Sequence, residues 1–514
     1  MDFGLRHAWR PWGIALGLAL GAAVYFADTP LRQQGEMGDL PARTAAVTLL
    51  MAVWWLTEAI PIYWTACVPL VAFPLLGVFG RGFAGDVAAS SLPYLDPYIF
   101  LFAGGMAIAA AMQQWNLHRR LALAIMDAIG SDPNRLLAGV LVATAFVSMW
   151  ISNTATATMM LPIGLALILQ LERQQGGQRL ARYGMALMLA IAWGANLGGI
   201  GSKIGTAPNA QLAGFLERRG VTVSFLDFLV IGLPFVVLVL PVAWLLLCRL
   251  AAGDRLPRGN ARDVVRAERR QLGSIAPGER VVLVVFLVTA ALWIGSQPLT
   301  AWLSPWFAGF RLRSAHVEGS IAIAAALALL LLRSERNVEQ GRRRAPVLAP
   351  RSLLTVPWET LLLLGGGFAM ASAIQESGLS AWMANELAAI SGLPALAQIT
   401  VAALVTVTIS AVASNTATVA VMLVVLADAA APAARDAMLF AATLSASCDF
   451  ALPVGTPPNA IVFGSGYVRI PVMARYGAPF DVIAALAAAS GAGGSCRECS
   501  ASSTQPCARG RRGS

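Results

Sequence analysis

Ser152-Asn153-Thr154-Ala155-Thr156 recurs unchanged as Ser414-Asn415-Thr416-Ala417-Thr418, an offset of 262 positions (152 to 414). Each copy has a serine four residues upstream, Ser148 and Ser410. Each is followed by a second matched string. The first reads Gly205-Thr206-Ala207-Pro208-Asn209 and the second Gly455-Thr456-Pro457-Pro458-Asn459. Four polar, helix-breaking clusters in matching positions of an apolar chain point to a binding site built from two halves. That is the pattern of a secondary transporter.

The rest of the chain supports a membrane setting. Of 514 residues, 57% are hydrophobic and 12% charged, and the mean hydropathy is +0.67. Soluble globular proteins carry roughly 25% charged residues, so the chain reads as an all-α polytopic membrane protein. The net charge of +10 does not imply nucleic acid. Its arginines gather in 249–280 and 333–351, polar loops between apolar runs, as the positive-inside bias requires. Arg6, His7 and Arg10 precede the apolar run from Trp12 to Ala27, but no clean small-residue cleavage site follows, so this run reads as a first membrane helix. Cys67, Cys248 and Cys448 lie in apolar segments and read as small buried hydrophobes. Cys496, Cys499 and Cys507 lie in the tail, and one C-x-x-C spacing without a second pair or a histidine is a weak metal signal.

About 20 apolar residues make a span. Candidates are 12–27, 44–60, 61–80, 98–128, 184–215, 224–248, 281–298, 316–332, 358–376, 436–466 and 470–490. Two more stretches, 135–170 and 396–428, carry the Ser-Asn-Thr strings at their centres. Either one, helical throughout, would run about 50 Å, too long for a hydrocarbon core of about 30 Å. A break at Ser-Asn-Thr makes each a re-entrant hairpin. With the N-terminus inside, the arginine-rich loops all fall inside, and the two hairpins enter from opposite faces. The repeats are then inverted.

Gly104-Gly105, Ala107, Ala109, Gln113 and Leu117 match Gly366-Gly367, Ala369, Ala371, Gln375 and Leu379 at the same offset. The expected organisation is an N-terminal helix and loop over 1–43 and a first repeat over 44–248, with hairpin 135–170 and broken helix 184–215. A cytoplasmic basic linker at 249–280 follows. The second repeat covers 281–490, with hairpin 396–428 and broken helix 436–466. The end, 491–514, reads as an irregular tail, either divergent or frameshifted, or simply a short natural end.

The chemistry of the clusters follows from helix termini. Ser, Thr and Asn cap helix starts. At a hairpin tip the first arm ends in free carbonyls and the second begins with free N–H groups. One tip therefore suits a cation on one side and an anion on the other. Gly and Pro break the partner helices in the same way, which is tolerated at membrane depth only where backbone is buried or lines a cavity. A single cluster alone would read as a polar kink. Two residues stand out beside them. Lys203 is the single lysine of the chain, a compact point charge inside the first broken helix, able to attract an anion, to occupy a cation site or to snorkel to water. Asp449 precedes Pro453 in an apolar run, where a carboxylate is a functional candidate or a charge paired with arginine. Asp428 is the other acid near the motifs. His7, His118 and His316 lie near span ends and read as interfacial.

At these strings, at Trp54-Trp55-Leu56-Thr57-Glu58-Ala59-Ile60-Pro61 and at Leu452–Gly466, the chain resembles the divalent anion–sodium symporter family over residues 40–480. The resemblance implies an inverted-repeat, elevator-type fold of about 11 transmembrane helices plus two re-entrant hairpins, assembled as a homodimer. It implies sodium ions at Ser148, Ser152, Asn153 and Gly205 in the first half and at Ser410, Ala413, Asn415 and Gly455 in the second. Substrate contacts implied are Ser152, Asn153, Thr154 and Thr206 with Ser414, Asn415, Thr416, Thr456 and Pro457. Lys203, Ala207 and Asp449 depart from the family pattern. Lys203 and Asp449 enter as possible modulators of the ion sites, Lys203 by replacing an ion.

The expectation is a carrier in the lipid of the cytoplasmic membrane, not an enzyme. It imports a small dianion, such as the four-carbon dicarboxylate succinate, by sodium symport. The alternatives are a dicarboxylate exchanger or proton-coupled carrier, and a sulfate transporter. An intramembrane enzyme would need a nucleophile–base pair or metal ligands within the spans, and the sequence offers neither. A channel does not suit inverted hairpins.

Overall fold

The computed structural model describes residues 3–27, 31, 38–130, 132–254, 262–307, 309–338, 341–386 and 392–502. It is helical nearly throughout. Among the described residues, eight helices are long and apolar enough to cross a membrane, and five apolar helices are shorter.

Both hairpins form. The first pairs Pro133–Ser148 with Asn153–Gln174, and the second pairs Ala395–Ser410 with Asn415–Ala429. The helices turn at the Ser-Asn-Thr strings in both halves. Arms of 16 residues reach about 24 Å, short of a full crossing. Both partner helices break as well. The first runs Ala181–Ile200, opens, and resumes at Ala207–Arg218; the second runs Arg435–Ala446 and resumes at Pro457–Phe463. Pro208, Pro457 and Pro458 occupy the first turns of the resumed segments, where the missing N–H is no loss.

The helix Ala181–Ile200 is buried from Tyr183 to its end, whereas Phe225–Ala251 leaves most of its surface uncovered. Val230, Val237, Leu238 and Leu245 are more than half exposed, as a lipid-facing stripe would be. The motif-bearing elements thus pack inside. Trp193 stacks on Phe480 (4.8 Å between ring centroids), and Phe480 on Phe450 (4.5 Å), which packs the last helix against the second break.

Four details differ from the sequence reading. The run 98–128 is two helices, Pro97–Gln114 and Leu117–Ile129, because Asn116 adopts a left-handed conformation (φ 56°). Arg333–Val338 and Gly341–Pro346 pair as antiparallel strands, with Arg333 opposite Pro346. Such a ribbon needs only local pairing and leaves no apolar signal. The basic linker holds a helix, Arg262–Gln271, tied to Asp127 through Arg269 (3.0 Å). The last helix extends over Ile470–Ser502, beyond the 490 at which composition ends it; its alanines are strong helix formers. Residues 503–514, with Cys507, lie outside the described residues.

Candidate functional site

Four helices begin on the wall of one cavity of about 1040 Å³. Their N-caps are Ser152, Thr206, Ser414 and Thr456, and all four line it. The Ser152 hydroxyl accepts from Ala155 N, and the Thr456 hydroxyl from Asn459 N, both at 3.4 Å. Each helix start carries partial positive charge on free N–H groups. Among the described residues, Glu58 is the charged residue on this wall, and no arginine or lysine lies on it. The cavity therefore meets an anion with neutral donors and helix termini rather than with cationic side chains.

The two halves repeat one another atom for atom. Ser148 Oγ lies 2.8 Å from Asn153 Oδ1 and 2.7 Å from the Ala195 carbonyl. Ser410 Oγ lies 2.9 Å from Asn415 Oδ1 and 2.7 Å from the Ala446 carbonyl. Each cluster gathers three oxygens around one hydroxyl proton, a surplus of acceptors suited to a hard cation. The breaks are clamped alike. Asn209 Nδ2 donates to the carbonyls of Gly199 (2.9 Å) and Ser202 (2.7 Å). Asn459 Nδ2 donates to those of Asp449 (3.1 Å) and Leu452 (2.9 Å). These amides satisfy carbonyls that a broken helix leaves free.

Asn196 joins the halves. Its amide donates to the Asp449 carbonyl and to Thr456 Oγ1, both at 3.0 Å. Close approach requires glycine here. A Cβ on Gly198 would come 2.1 Å from the Ala145 carbonyl oxygen, and one on Gly199 would come 2.3 Å from Asn153 Oδ1.

The residues expected to meet substrate come together. Ser152, Asn153, Thr154 and Thr206 line the cavity from the first half, and Ser414, Asn415, Thr416, Thr456 and Pro457 from the second. Of the expected sodium ligands, Ser152, Asn153, Gly205, Asn415 and Gly455 also line it, while Ser148 and Ser410 are fully buried behind the tips. Ala413 is buried at the second turn.

Lys203 takes none of its expected positions. It neither lines the cavity nor reaches water. Fully buried, its Nζ lies 2.7 Å from Glu318 Oε2, donates to the Val223 carbonyl (2.6 Å), and sits 4.6 Å from the centre of the Tyr98 ring. Glu318 also accepts from Phe225 N (2.7 Å) and Ser296 Oγ (2.8 Å). The charge of Lys203 is thus neutralised in the packing between the first broken helix and the helix Ser314–Leu331. Asp449 is fully buried with no arginine on it. Asp428 pairs with Arg219 (2.7 Å). His118 Nδ1 contacts the Met112 carbonyl (3.0 Å), and His316 Nδ1 accepts from Arg313 N (3.2 Å). The side chain of His7 lies outside the described residues.

Glu318 and Asn196 escaped the sequence reading. The available signal was a lone acid or amide inside an apolar run, 316–332 for one and 184–200 for the other.

Residues 23–492 match the family described as the sodium:sulfate symporter transmembrane region. The chain belongs to this family. It is similar to the sodium-dependent dicarboxylate transporter SdcS of Staphylococcus saprophyticus, 35% identical over 90% of this chain and 88% of the relative. The protein of the same name from Staphylococcus aureus strain USA300 is 34% identical over 92% of this chain and 89% of its own length. In fold, the chain is similar to the crystal structure of the YdaH transporter of Alcanivorax borkumensis. The TM-score is 0.52 at 14% identity, covering 87% of this chain and 97% of that one. This is a multi-pass membrane transporter of a symporter family, and not an enzyme.

Proposed function

We propose that the protein imports a small dicarboxylate dianion, with succinate the representative substrate, by sodium symport across the cytoplasmic membrane. The observation that carries this reading is the convergence of four helix starts on one cavity free of lysine and arginine. Two carboxylates can each meet one hairpin tip, Asn153–Thr154 on one side and Asn415–Thr416 on the other. Sodium then supplies the positive charge the wall lacks, at the paired clusters around Ser148 and Ser410. A dianion moving into a negative-inside cell costs about 2.3 kcal/mol per charge per 100 mV. Co-transport of more than two sodium ions reverses that sign. Staphylococcal relatives named as sodium-dependent dicarboxylate transporters support the reading.

Inverted repeats, a cytoplasmic N-terminus, a homodimer and elevator-type movement belong to the same proposal, and rest on the arginine-rich loops and the family resemblance. The test is uptake of labelled succinate by proteoliposomes with and without an inward sodium gradient, against malate, citrate and sulfate as competitors. Sodium-driven uptake inhibited by malate is expected. Counterflow undiminished in sodium-free buffer would make the protein an exchanger, and inhibition by sulfate alone would make it a sulfate carrier.

A further inference from the structure

The two half-sites match in backbone and differ in charge. Gly199 and Asp449 are counterparts, each giving its carbonyl to the clamping asparagine at the same spacing, Asn209 and Asn459. In the first half the space beside Gly205 is filled by the Gly199 carbonyl; a Cβ there would lie 2.5 Å from that oxygen. In the second half the space beside Gly455 is filled by the Asp449 carboxylate; a Cβ there would lie 1.4 Å from Oδ2. Asp449 is fully buried, and neither carboxylate oxygen has a side-chain donor or a cation. The Ala451 backbone amide is the stabilising group beside it. The nearby charge is of the same sign, Asp481, whose Oδ1 accepts from Phe450 N at 2.8 Å.

Two further side-chain oxygens in this stretch, Ser445 Oγ and Ser447 Oγ, are also buried without partners. Their counterparts at the same spacing of 250, Ala195 and Leu197, carry no oxygen in their side chains. Within five residues the second half therefore holds four buried side-chain oxygens without a hydrogen bond, where the first half holds one, Asn196 Oδ1. A buried carboxylate is stable only when it is paired, coordinated or neutralised. The Asp449 carboxylate lies against Gly455, at the opening that faces the cavity beside the Asn415 tip.

We infer that Asp449 is a direct carboxylate ligand of a coupling sodium ion in the second half-site, so that this half binds its cation with one negative charge more than the first. This deepens the sodium-coupled reading and rests on it. The second site fills at lower sodium than the first, and its filling completes the Asn415 tip before the dianion arrives. The first site, built from neutral oxygens, responds at higher sodium.

Sodium-dependent thermal stabilisation of the purified full-length protein, with choline as the replacing cation and no dianion added, tests this directly. Asp449→Asn and Asp449→Gly are each expected to raise the sodium concentration at half-effect by about tenfold to a hundredfold, the range of one charge-assisted contact. Asp449→Glu, which keeps the charge, is expected to retain a sodium response at lower concentration than either neutral variant. In sodium-free buffer the neutral variants are expected to be at least as stable as wild type, since they remove an uncompensated buried charge. Unchanged sodium midpoints in the neutral variants overturn the inference. So does their failure to fold, because that makes the carboxylate a structural element. Sodium stabilisation through Asp449 without sodium-driven uptake would sink the transport reading and leave this one standing. Sodium-driven uptake with unshifted midpoints would do the reverse.

Discussion

Lys203→Met removes the cation from a pair that has no access to water. Both side chains of the Lys203–Glu318 pair are fully buried, with Nζ 2.7 Å from Oε2. Breaking such a pair costs about 3–5 kcal/mol, because the remaining charge stays buried and uncompensated. Glu318 Oε1 keeps its donors, Phe225 N and Ser296 Oγ, while Oε2 loses its donor and the Val223 carbonyl is left with the Tyr98 hydroxyl at 3.5 Å. The retained donors place the expected loss near the lower end, about 3 kcal/mol. Adding Glu318→Gln removes the stranded charge. The amide oxygen still accepts from Phe225 N and Ser296, and its NH2 can serve Val223. The double variant is therefore expected to recover most of the loss, ending about 1 kcal/mol below wild type. Heating detergent-purified protein and quantifying the folded peak by size exclusion reads both effects. A drop of roughly 3 °C is expected for the single variant, largely restored in the double. Wild-type stability in the single variant, or a double variant no better than the single, would refute the reasoning. Sodium titration of uptake by surviving Lys203→Met protein is expected to match wild type, because the ammonium lies on Glu318 and off the cavity wall.

Three other outcomes follow from the paired clusters. Ser148→Ala and Ser410→Ala each remove the hydroxyl at the centre of three oxygens; each is expected to raise the sodium requirement of succinate uptake several-fold, measured as half-saturating sodium at fixed substrate. Asn196→Leu unties two contacts across the halves and leaves the Asp449 carbonyl with the Asn459 amide as its donor, with an expected stability loss of about 1–3 kcal/mol and a fall in maximal uptake larger than any change in half-saturating succinate. Gly199→Ala would put a methyl 2.3 Å from Asn153 Oδ1. It is expected to abolish uptake while the protein still elutes as a folded species, which separates displacement of one tip from global misfolding.

The repeat was legible in the residues because it is a matter of local chemistry. Ser-Asn-Thr and Gly-Thr-x-Pro-Asn break helices wherever they fall in an apolar run, so a turn at each Ser-Asn-Thr string and a break at each Gly-Thr-x-Pro-Asn string could be placed from the residues, but not that the preceding helices already end at Ile200 and Ala446. Composition likewise pointed to the membrane as solvent, and the equal offsets pointed to a site of two halves. The Asn116 kink and the paired strands Arg333–Val338 and Gly341–Pro346 left no comparable mark, since each depends on a few backbone angles rather than on a run of residues.

Which way a buried polar side chain points is set by what packs against it from elsewhere in the chain. Lys203 sits within three residues of Thr206, a cavity residue, yet Glu318, 115 positions away, claims its charge. Asp449 reads as an oddity in one helix until Gly455 leaves room for its carboxylate and no cation arrives from any other element. Asn196 is one amide among apolar residues until the second break supplies its partners. A sequence determines where a helix must open and which groups are set free there. Only the tertiary contacts decide which of those groups find partners inside the protein and which are left for an ion or a substrate, because burial makes an unmatched charge too costly to keep unless something binds it.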